Sequence, residues 1–129
     1  MAERHTPRPT DSELAILRVL WERGPSTVRD VYDQLNEEGT TGYTTVLKLM
    51  QIMTEKGLVV RDERQRAHVY EARDGEQKTQ RQLLTDLADR AFGGSAAKLV
   101  MQALSGRKTS AEELQSIREM LDSLEGDTK

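Results

Sequence analysis

Apolar side chains in this chain return at three- and four-residue intervals as far as Gly57, and then abruptly in short β-favouring runs. Helical spacing puts one apolar stripe on each helix, and two-residue alternation puts one apolar face on each strand. The change of period therefore commits the chain to helices first and a small sheet after them. Thr10, Asp11 or Ser12 can cap a first helix whose stripe is Leu14, Leu17, Val19, Leu20 and Trp21, stopped by Gly24-Pro25. Ser26 or Thr27 caps a second helix of about ten residues, apolar at Val28, Val31, Tyr32 and Leu35, which gives out in the polar stretch Asn36 to Gly39. The third starts at Thr41 to Tyr43 and sets Val46, Leu49, Met50 and Met53 at i, i+3, i+4 and i+7. It ends at Gly57, a residue free to take a left-handed cap. Leu58-Val59-Val60 and His68-Val69-Tyr70, separated by the charged segment Arg61 to Ala67, predict a two-stranded hairpin. Three helices closed by such a hairpin are the element order of a winged helix-turn-helix, whose third helix is the reading helix.

Past Arg73 the one remaining aromatic is Phe92, and the chain is rich in Leu, Ala, Gln and charge. Asp74 is placed to cap a helix carrying Leu83, Leu84, Leu87 and Ala91, and Gly93-Gly94 interrupts it. Ser95 starts another through Leu99, Val100, Ala103 and Leu104, which Ser105 to Lys108 breaks. A last helix follows Ser110, with Glu113 at the capping-box position and Leu114, Ile117, Met120, Leu121 and Leu124 apolar. Three short amphipathic helices cover one another only in part, below what an independent core needs. A second copy of the chain would supply the missing cover, which makes these tail residues the expected dimer seam; an intramolecular bundle is the other reading of the last helix's leucines. The expected fold is mainly α: a flexible arm over 1–9, a winged helix-turn-helix over 10–74, a helical dimerisation tail over 75–124 and a disordered end over 125–129.

With 129 residues there is room for one ordinary domain, or a small domain and an accessory element, and little for two-domain catalysis. The absence of cysteine removes disulfides, thiolate nucleophiles and thiolate metal sites, and the two histidines, His5 and His68, fall on unrelated segments. No phosphate-cradling glycine loop, carboxylate pair or nucleophile elbow stands in the sequence, so neither an enzyme nor a bound metal or cofactor is expected. The longest apolar run, Leu14 to Leu17, is four residues, against the ~20 that cross a bilayer. Residues 1–10 lack the apolar core of a signal peptide, which makes the cytoplasm the expected location. A net charge of -3 argues against nucleic acid as a partner, but it hides a pattern. Residues 40–70 carry five basic against three acidic side chains, and residues 74–129 eight against ten. Two readings follow: a DNA-binding winged helix, and a winged-helix module that binds protein and never touches nucleic acid.

On the third helix the apolar stripe leaves Thr44, Thr45, Lys48 and Gln51 on the other side, in the N-terminal half that a recognition helix presents to bases. A threonine offers a hydroxyl for phosphate or base and a methyl for thymine, and a lysine can reach guanine or phosphate. An exposed helix face is polar in any case, so periodicity alone leaves DNA contact and plain solvation both open. Tyr43 either packs on the helix pair or reaches a phosphate. Thr41 and Gly42 precede it at a helix N-terminus, whose amides can hold phosphate. Arg61, Arg64 and Arg66 lie in or beside the hairpin turn, where a wing meets the DNA backbone or minor groove, or where they are ordinary surface charge. With Val69 facing in, His68 sits on the strand surface. Arg29 either reaches the DNA backbone or pairs with Asp33 at i+4. Trp21 belongs to the core.

These residues also carry a resemblance. Tyr43-Thr44-Thr45-Val46-Leu47, Thr54-Glu55-Lys56-Gly57-Leu58-Val59 and Arg66-Ala67-His68-Val69-Tyr70 resemble the penicillinase-repressor family, the BlaI and MecI type of bacterial transcriptional repressor. Glu13-Leu14 to Leu20-Trp21 is similar to the family's opening helix and Thr27-Val28-Arg29-Asp30-Val31 to its second. The tail around Gly93-Gly94 is similar in length and layout, so the likeness spans nearly the whole chain. It implies a homodimer that binds double-stranded operator DNA at an inverted repeat through its winged helices, with the tail as dimerisation domain, and represses transcription. In members of the penicillinase-repressor type a membrane sensor metalloprotease leads to cleavage within the tail, which ties them to antibiotic resistance.

On this resemblance Thr41, Tyr43, Thr44, Thr45, Lys48, Arg61, Arg64 and Arg66 form the DNA-contacting set, and Met101, Gln102 and Ala103 align with the cleaved region. Lys48 stands where a third threonine is common and Ile52 where an arginine is, which points to a different operator. The asparagine-phenylalanine pair at the cleaved bond of the best-known members is absent here, as are the clustered C-terminal cysteines of the copper-responsive branch.

Overall fold

The computed structural model describes residues 8–36 and 41–127, so residues 1–7 of the expected arm over 1–9, the end of the polar stretch after Asn36, and residues 128–129 lie outside the described residues. Helix α1 (Asp11–Arg23) opens on a capping box: the Thr10 hydroxyl accepts from the Glu13 N–H at 3.2 Å, and the Glu13 carboxylate accepts from the Thr10 N–H at 2.9 Å. Gly24, at φ 90°, ends it. Thr27 starts α2 (Val28–Leu35) with a second capping box, closed by Asp30. That leaves Ser26 for another task. Its N–H donates to the Tyr70 carbonyl at 2.9 Å and its carbonyl accepts from the Tyr70 N–H at 2.7 Å, which fastens the turn before α2 to the hairpin.

Helix α3 (Tyr43–Lys56) follows Gly42 and ends at Gly57, which takes the left-handed conformation (φ 82°) and turns its N–H back to the Met53 and Thr54 carbonyls. The antiparallel hairpin pairs β1 (Val59–Asp62) with β2 (Val69–Ala72) in a register that runs from Val59 with Ala72 to Asp62 with Val69. Both strands run past the apolar runs that predicted them, because ladder bonds are made by backbone whatever the side chain. Arg61 therefore lies in β1, opposite Tyr70, and not in the turn. The expectation that Val69 faces inward needs correction. Tyr70 is the buried residue of β2, held by Ser26, and alternation turns Val69 to the other face. His68 lies beyond the ladder and is exposed.

One apolar cluster joins these elements. Ile16, Leu17, Val19 and Leu20 of α1 meet Val28 and Val31 of α2, Val46, Met50 and Met53 of α3, and Leu58, Val59 and Tyr70 of the hairpin. Trp21 packs at the edge of the cluster and donates its indole N–H to the Asp74 carbonyl at 3.0 Å. Among these hydrocarbons sits a charge. Glu13 is 2% exposed, and its two carboxylate oxygens accept from the Lys56 ammonium at 3.0 and 2.9 Å. The pair ties the first turn of α1 to the last turn of α3.

Leu83/Leu84 divides the chain into two compact units, and α4 (Glu76–Ala91) runs through the division. Asp74 does not cap this helix, contrary to expectation: the Thr79 N–H bonds to the Gly75 carbonyl, which puts the cap at Gly75. The Asp74 carboxylate instead pairs with Lys78 at 3.3 Å. Gly93 and Gly94, at φ 59° and 83°, take the left-handed turn that ends α4. Ser95 caps α5 (Ala96–Ser105), and Ser110 with Glu113 forms the capping box of α6 (Ala111–Asp127). Residues 125–127 are thus helical, which corrects the expected disordered end there; a single Gly126 weakens a helix by only about 1 kcal/mol and does not stop α6. No helix among the described residues is long and apolar enough to cross a membrane.

Lys56→Ala would leave Glu13 buried without its counter-ion. We expect a loss of about 2–4 kcal/mol in urea unfolding, somewhat under the cost of breaking a fully buried pair because the Lys56 side chain partly reaches water. Burial pushes the Glu13 carboxyl up, but the hydrogen bonds from Lys56 and Thr10 and the Lys56 charge overcome it and leave the group below its ordinary value. A carboxyl held low contributes stability above its unfolded value and loses it on acidification. Unfolding free energy should therefore fall as the pH drops below about 4.5, and fall less steeply in Lys56→Ala.

Candidate nucleic-acid interface

Because Val46, Met50 and Met53 point into the core, the opposite side of α3 is fixed: Thr44, Lys48, Gln51 and Glu55 form an exposed stripe at helical spacing. Lys48 is held in no ion pair among the described residues. Thr45 is exposed but stands to one side of the stripe. With Thr41, Gly42, Ser12, Ala15, Leu35 and Leu49 it lines a hollow of about 300 Å³ between the start of α1, the end of α2 and the start of α3. Leu49 is accordingly half-buried, where the apolar stripe predicted a core residue. The two threonines that sequence placed together thus point in different directions.

The N-terminal end of α3 is braced by aromatics. Tyr43 meets Tyr32 of α2 edge to face, ring centroids 5.5 Å apart at 73°, and remains 43% exposed. The two readings of Tyr43 are therefore compatible: one edge packs, and the rest faces solvent at the first turn. Arg29 lies 5.9 Å over the Tyr32 ring and pairs with Asp33 at 3.1 Å, the i+4 alternative.

The wing is more self-contained than its three arginines suggest. Arg64 grips Asp62 through one guanidinium edge, Nε and Nη2, at 2.7 to 3.2 Å, and its backbone N–H also donates to Asp62 Oδ1 at 3.0 Å. That grip pulls the Asp62 carboxyl down to about 2. Arg61 donates to the Glu63 carboxylate at 2.8 Å. Arg66 is exposed and, among the described residues, in no ion pair. The partners Asp62 and Glu63 were not singled out in the sequence, although the alternation Arg61-Asp62-Glu63-Arg64 is the available signal.

In the second unit apolar residues lack cover. Among the described residues only Ala88 is a buried hydrophobic there. Leu84, Leu87, Val100, Met101, Met120, Leu121 and Leu124 are all exposed, while Leu99, Leu104, Leu114 and Ile117, like Leu83 before the division, are half-buried. Gln102 and Ala103 are exposed on α5. No cluster of His, Asp and Glu among the described residues is arranged to hold a metal ion.

A family model described as the penicillinase repressor matches residues 9–123. The chain belongs to the penicillinase-repressor family. It is 32% identical over 117 residues to the transcriptional regulator BlaI of Mycobacterium tuberculosis, with 89% of this chain and 83% of that one covered. To the penicillinase repressor of Bacillus licheniformis it is 21% identical over 116 residues, covering 90% and 91%. Its fold is similar to the solution structure of the DNA-binding domain of the repressor BlaI, with TM-score 0.51, 22% identity, and 57% of this chain and 90% of that one covered. It is equally similar to the monomeric form of Bacillus licheniformis BlaI in complex with the blaP half-operator, with TM-score 0.50, 22% identity, and 57% and 89% covered. This family member is a DNA-binding transcriptional repressor with a winged helix, and among its cations Lys48 on α3 and Arg66 on the wing are held in no ion pair among the described residues.

Tyr32→Leu keeps an apolar side chain on α2 but removes the aromatic edge against Tyr43. The expected cost is about 0.5–1.5 kcal/mol in urea unfolding, with faster amide exchange in the first turn of α3.

Proposed function

We propose that this repressor acts as a homodimer on an inverted-repeat operator, each winged helix reading one half-site, and that cleavage in the tail releases it. The observation that carries the reading is the outward stripe of α3: Thr44, Lys48 and Gln51 are exposed, aligned, and backed by a rigid apolar core. A helix laid in the major groove offers bases just such a row, lysine to guanine and glutamine to adenine. Tyr43, Thr41 and Thr45 border the stripe near the phosphates, and Arg66 leads the wing, with Arg61 and Arg64 behind their carboxylates. The half-operator complex of the Bacillus licheniformis relative supports one half-site per chain. The cytoplasm is where such an operator would be met.

Dimerisation rests on the uncovered tail. Leu84, Leu87, Val100, Leu121 and Leu124 are exposed, with Leu83, Leu99, Leu104, Leu114 and Ile117 beside them only half-buried, more apolar surface than a lone copy conceals. A membrane sensor metalloprotease is the proposed source of the releasing cut, at or near Met101, Gln102 and Ala103. Helix α5 is ten residues long with nothing buried, so it unwinds cheaply into the extended form a protease needs. A cut there separates α6 from the rest and turns two linked half-site contacts into independent ones.

Gel-shift titration at two salt concentrations tests the reading against a winged-helix module that binds only protein. Phosphate neutralisation makes affinity fall steeply with salt, whereas a protein-binding module has no DNA affinity to lose. Lys48→Ala is expected to weaken binding to a duplex selected from a random pool by roughly 1–3 kcal/mol and a scrambled duplex much less, the signature of a base contact. Replacing Leu121 and Leu124 by Glu should shift the full chain to monomer in sedimentation equilibrium and weaken inverted-repeat binding, with the winged unit still folded.

A further inference from the structure

The two most exposed large apolar side chains among the described residues are both methionines, Met101 at 66% and Met120 at 64%. We propose that Met101 and Met120 are modification sites, whose oxidation to the sulfoxide by a peroxide separates the two copies and lifts repression; this rests on the homodimer reading of the tail. The chain holds no cysteine, so all of its oxidisable sulfur is thioether. Met50 and Met53, both at 0% exposure, are enclosed in the core of the winged unit. Met1 lies outside the described residues. An oxidant therefore meets sulfur in the tail before it meets any in the core that backs α3.

Position gives the reaction its consequence. Met101 stands on α5 next to Val100 and three residues before Leu104, and Met120 stands on α6 three residues after Ile117 and four before Leu124. Side chains three and four apart are neighbours on a helix surface, so each thioether adjoins the proposed seam. Both sit at its margin, more open than Val100, Leu121 and Leu124. A methionine there covers apolar neighbours in the pair and stays within reach of a small oxidant. The sulfur lone pair attacks one oxygen of hydrogen peroxide: the S–O bond forms, the O–O bond breaks, and the other oxygen leaves as water. Sulfur gives up two electrons and the peroxide takes them. The product carries a polar S–O group where an apolar sulfur stood, and covering it without a hydrogen-bond donor is costly. Pairing weakens, and the two half-site contacts lose their linkage.

The test follows the full chain before and after hydrogen peroxide, by peptide mass mapping, sedimentation equilibrium and binding to an inverted-repeat duplex selected from a random pool. One added oxygen is expected on Met101 and on Met120 well before any appears on Met50 or Met53. The dimer dissociation constant should then rise by roughly tenfold, as for the loss of one methionine's apolar cover, and affinity for the duplex should fall with it. Methionine sulfoxide reductases for both epimers should reverse both changes. The double variant Met101→Leu, Met120→Leu keeps the apolar cover without the sulfur, so it should pair and bind as the unmutated chain does and ignore peroxide. Oxidation of Met50 or Met53 as fast as of the tail, a doubly oxidised chain that pairs and binds as before, or a double variant as sensitive as the unmutated chain would each overturn the inference alone. An untreated chain that stays monomeric at every concentration would overturn it together with the homodimer reading.

Discussion

Glu13 stands where the first turn of α1, its capping threonine and the last turn of α3 meet, and its buried charge is tolerable because the Thr10 N–H and the Lys56 ammonium donate to it at once. A buried carboxylate without partners is costly enough to be protonated or to unfold its surroundings. With Lys56 on both oxygens it becomes a directional fastener between two helices. Hydrophobic contact alone would let α3 roll against α1, since apolar packing is non-directional. The ion pair at one end of α3 and the Tyr32–Tyr43 edge contact at the other fix its rotation, and with it the direction in which Thr44, Lys48 and Gln51 point. The hairpin follows from the same end: Gly57 turns the chain directly after Lys56, Leu58 and Val59 enter the core, and Tyr70 closes onto Ser26.

Electrostatics in this repressor is a matter of which charges are already engaged. A chain with net charge -3 binds DNA only if its free cations are on the binding face. Cations without an ion pair among the described residues also stand elsewhere, Arg18, Arg73, Arg81 and Lys98 among them, so what counts is which of them lie on α3 and the wing. Arg23, Arg29, Lys56, Arg61, Arg64, Lys78 and Arg90 each pair with a carboxylate, whereas Lys48 on α3 and Arg66 on the wing do not. The pairs on the wing differ in kind from Glu13–Lys56. Their carboxylates, Asp62 and Glu63, are 42% and 56% exposed, whereas that of Glu13 is 2% exposed.

Helix positions were legible in the sequence because caps and stripes are local. Thr10, Thr27, Ser95 and Ser110 cap as residue type and spacing imply, and the change of period at Gly57 gave the hairpin. Orientation was less legible. Thr44 and Thr45 read alike as letters, yet one belongs to the outward stripe and the other edges a hollow shared with two helices distant in sequence. The Glu55-Lys56-Gly57-Leu58 motif was recognised by resemblance, but that Lys56 reaches Glu13 is a contact across 43 positions that no local rule supplies. Val69 and Tyr70 exchanged faces for a similar reason: a two-residue period fixes alternation, and only the long-range bond to Ser26 decides which residue goes in. Asp74 was drawn away from its capping role by Trp21 and Lys78, one of them far away in the chain.

The winged unit has a core of its own, while among the described residues the tail has apolar residues and almost nothing buried; on the proposed reading one half reads DNA and the other pairs copies. Paired reading of one operator by two copies shows in stoichiometry and affinity together. The unmodified chain would be titrated, at one fixed salt concentration, against a selected inverted-repeat duplex and against a duplex of equal length holding one half-site. Two chains bound per inverted repeat, with an affinity far above that for the single half-site, is the expected result. One chain per duplex, with the same affinity for both, would contradict it.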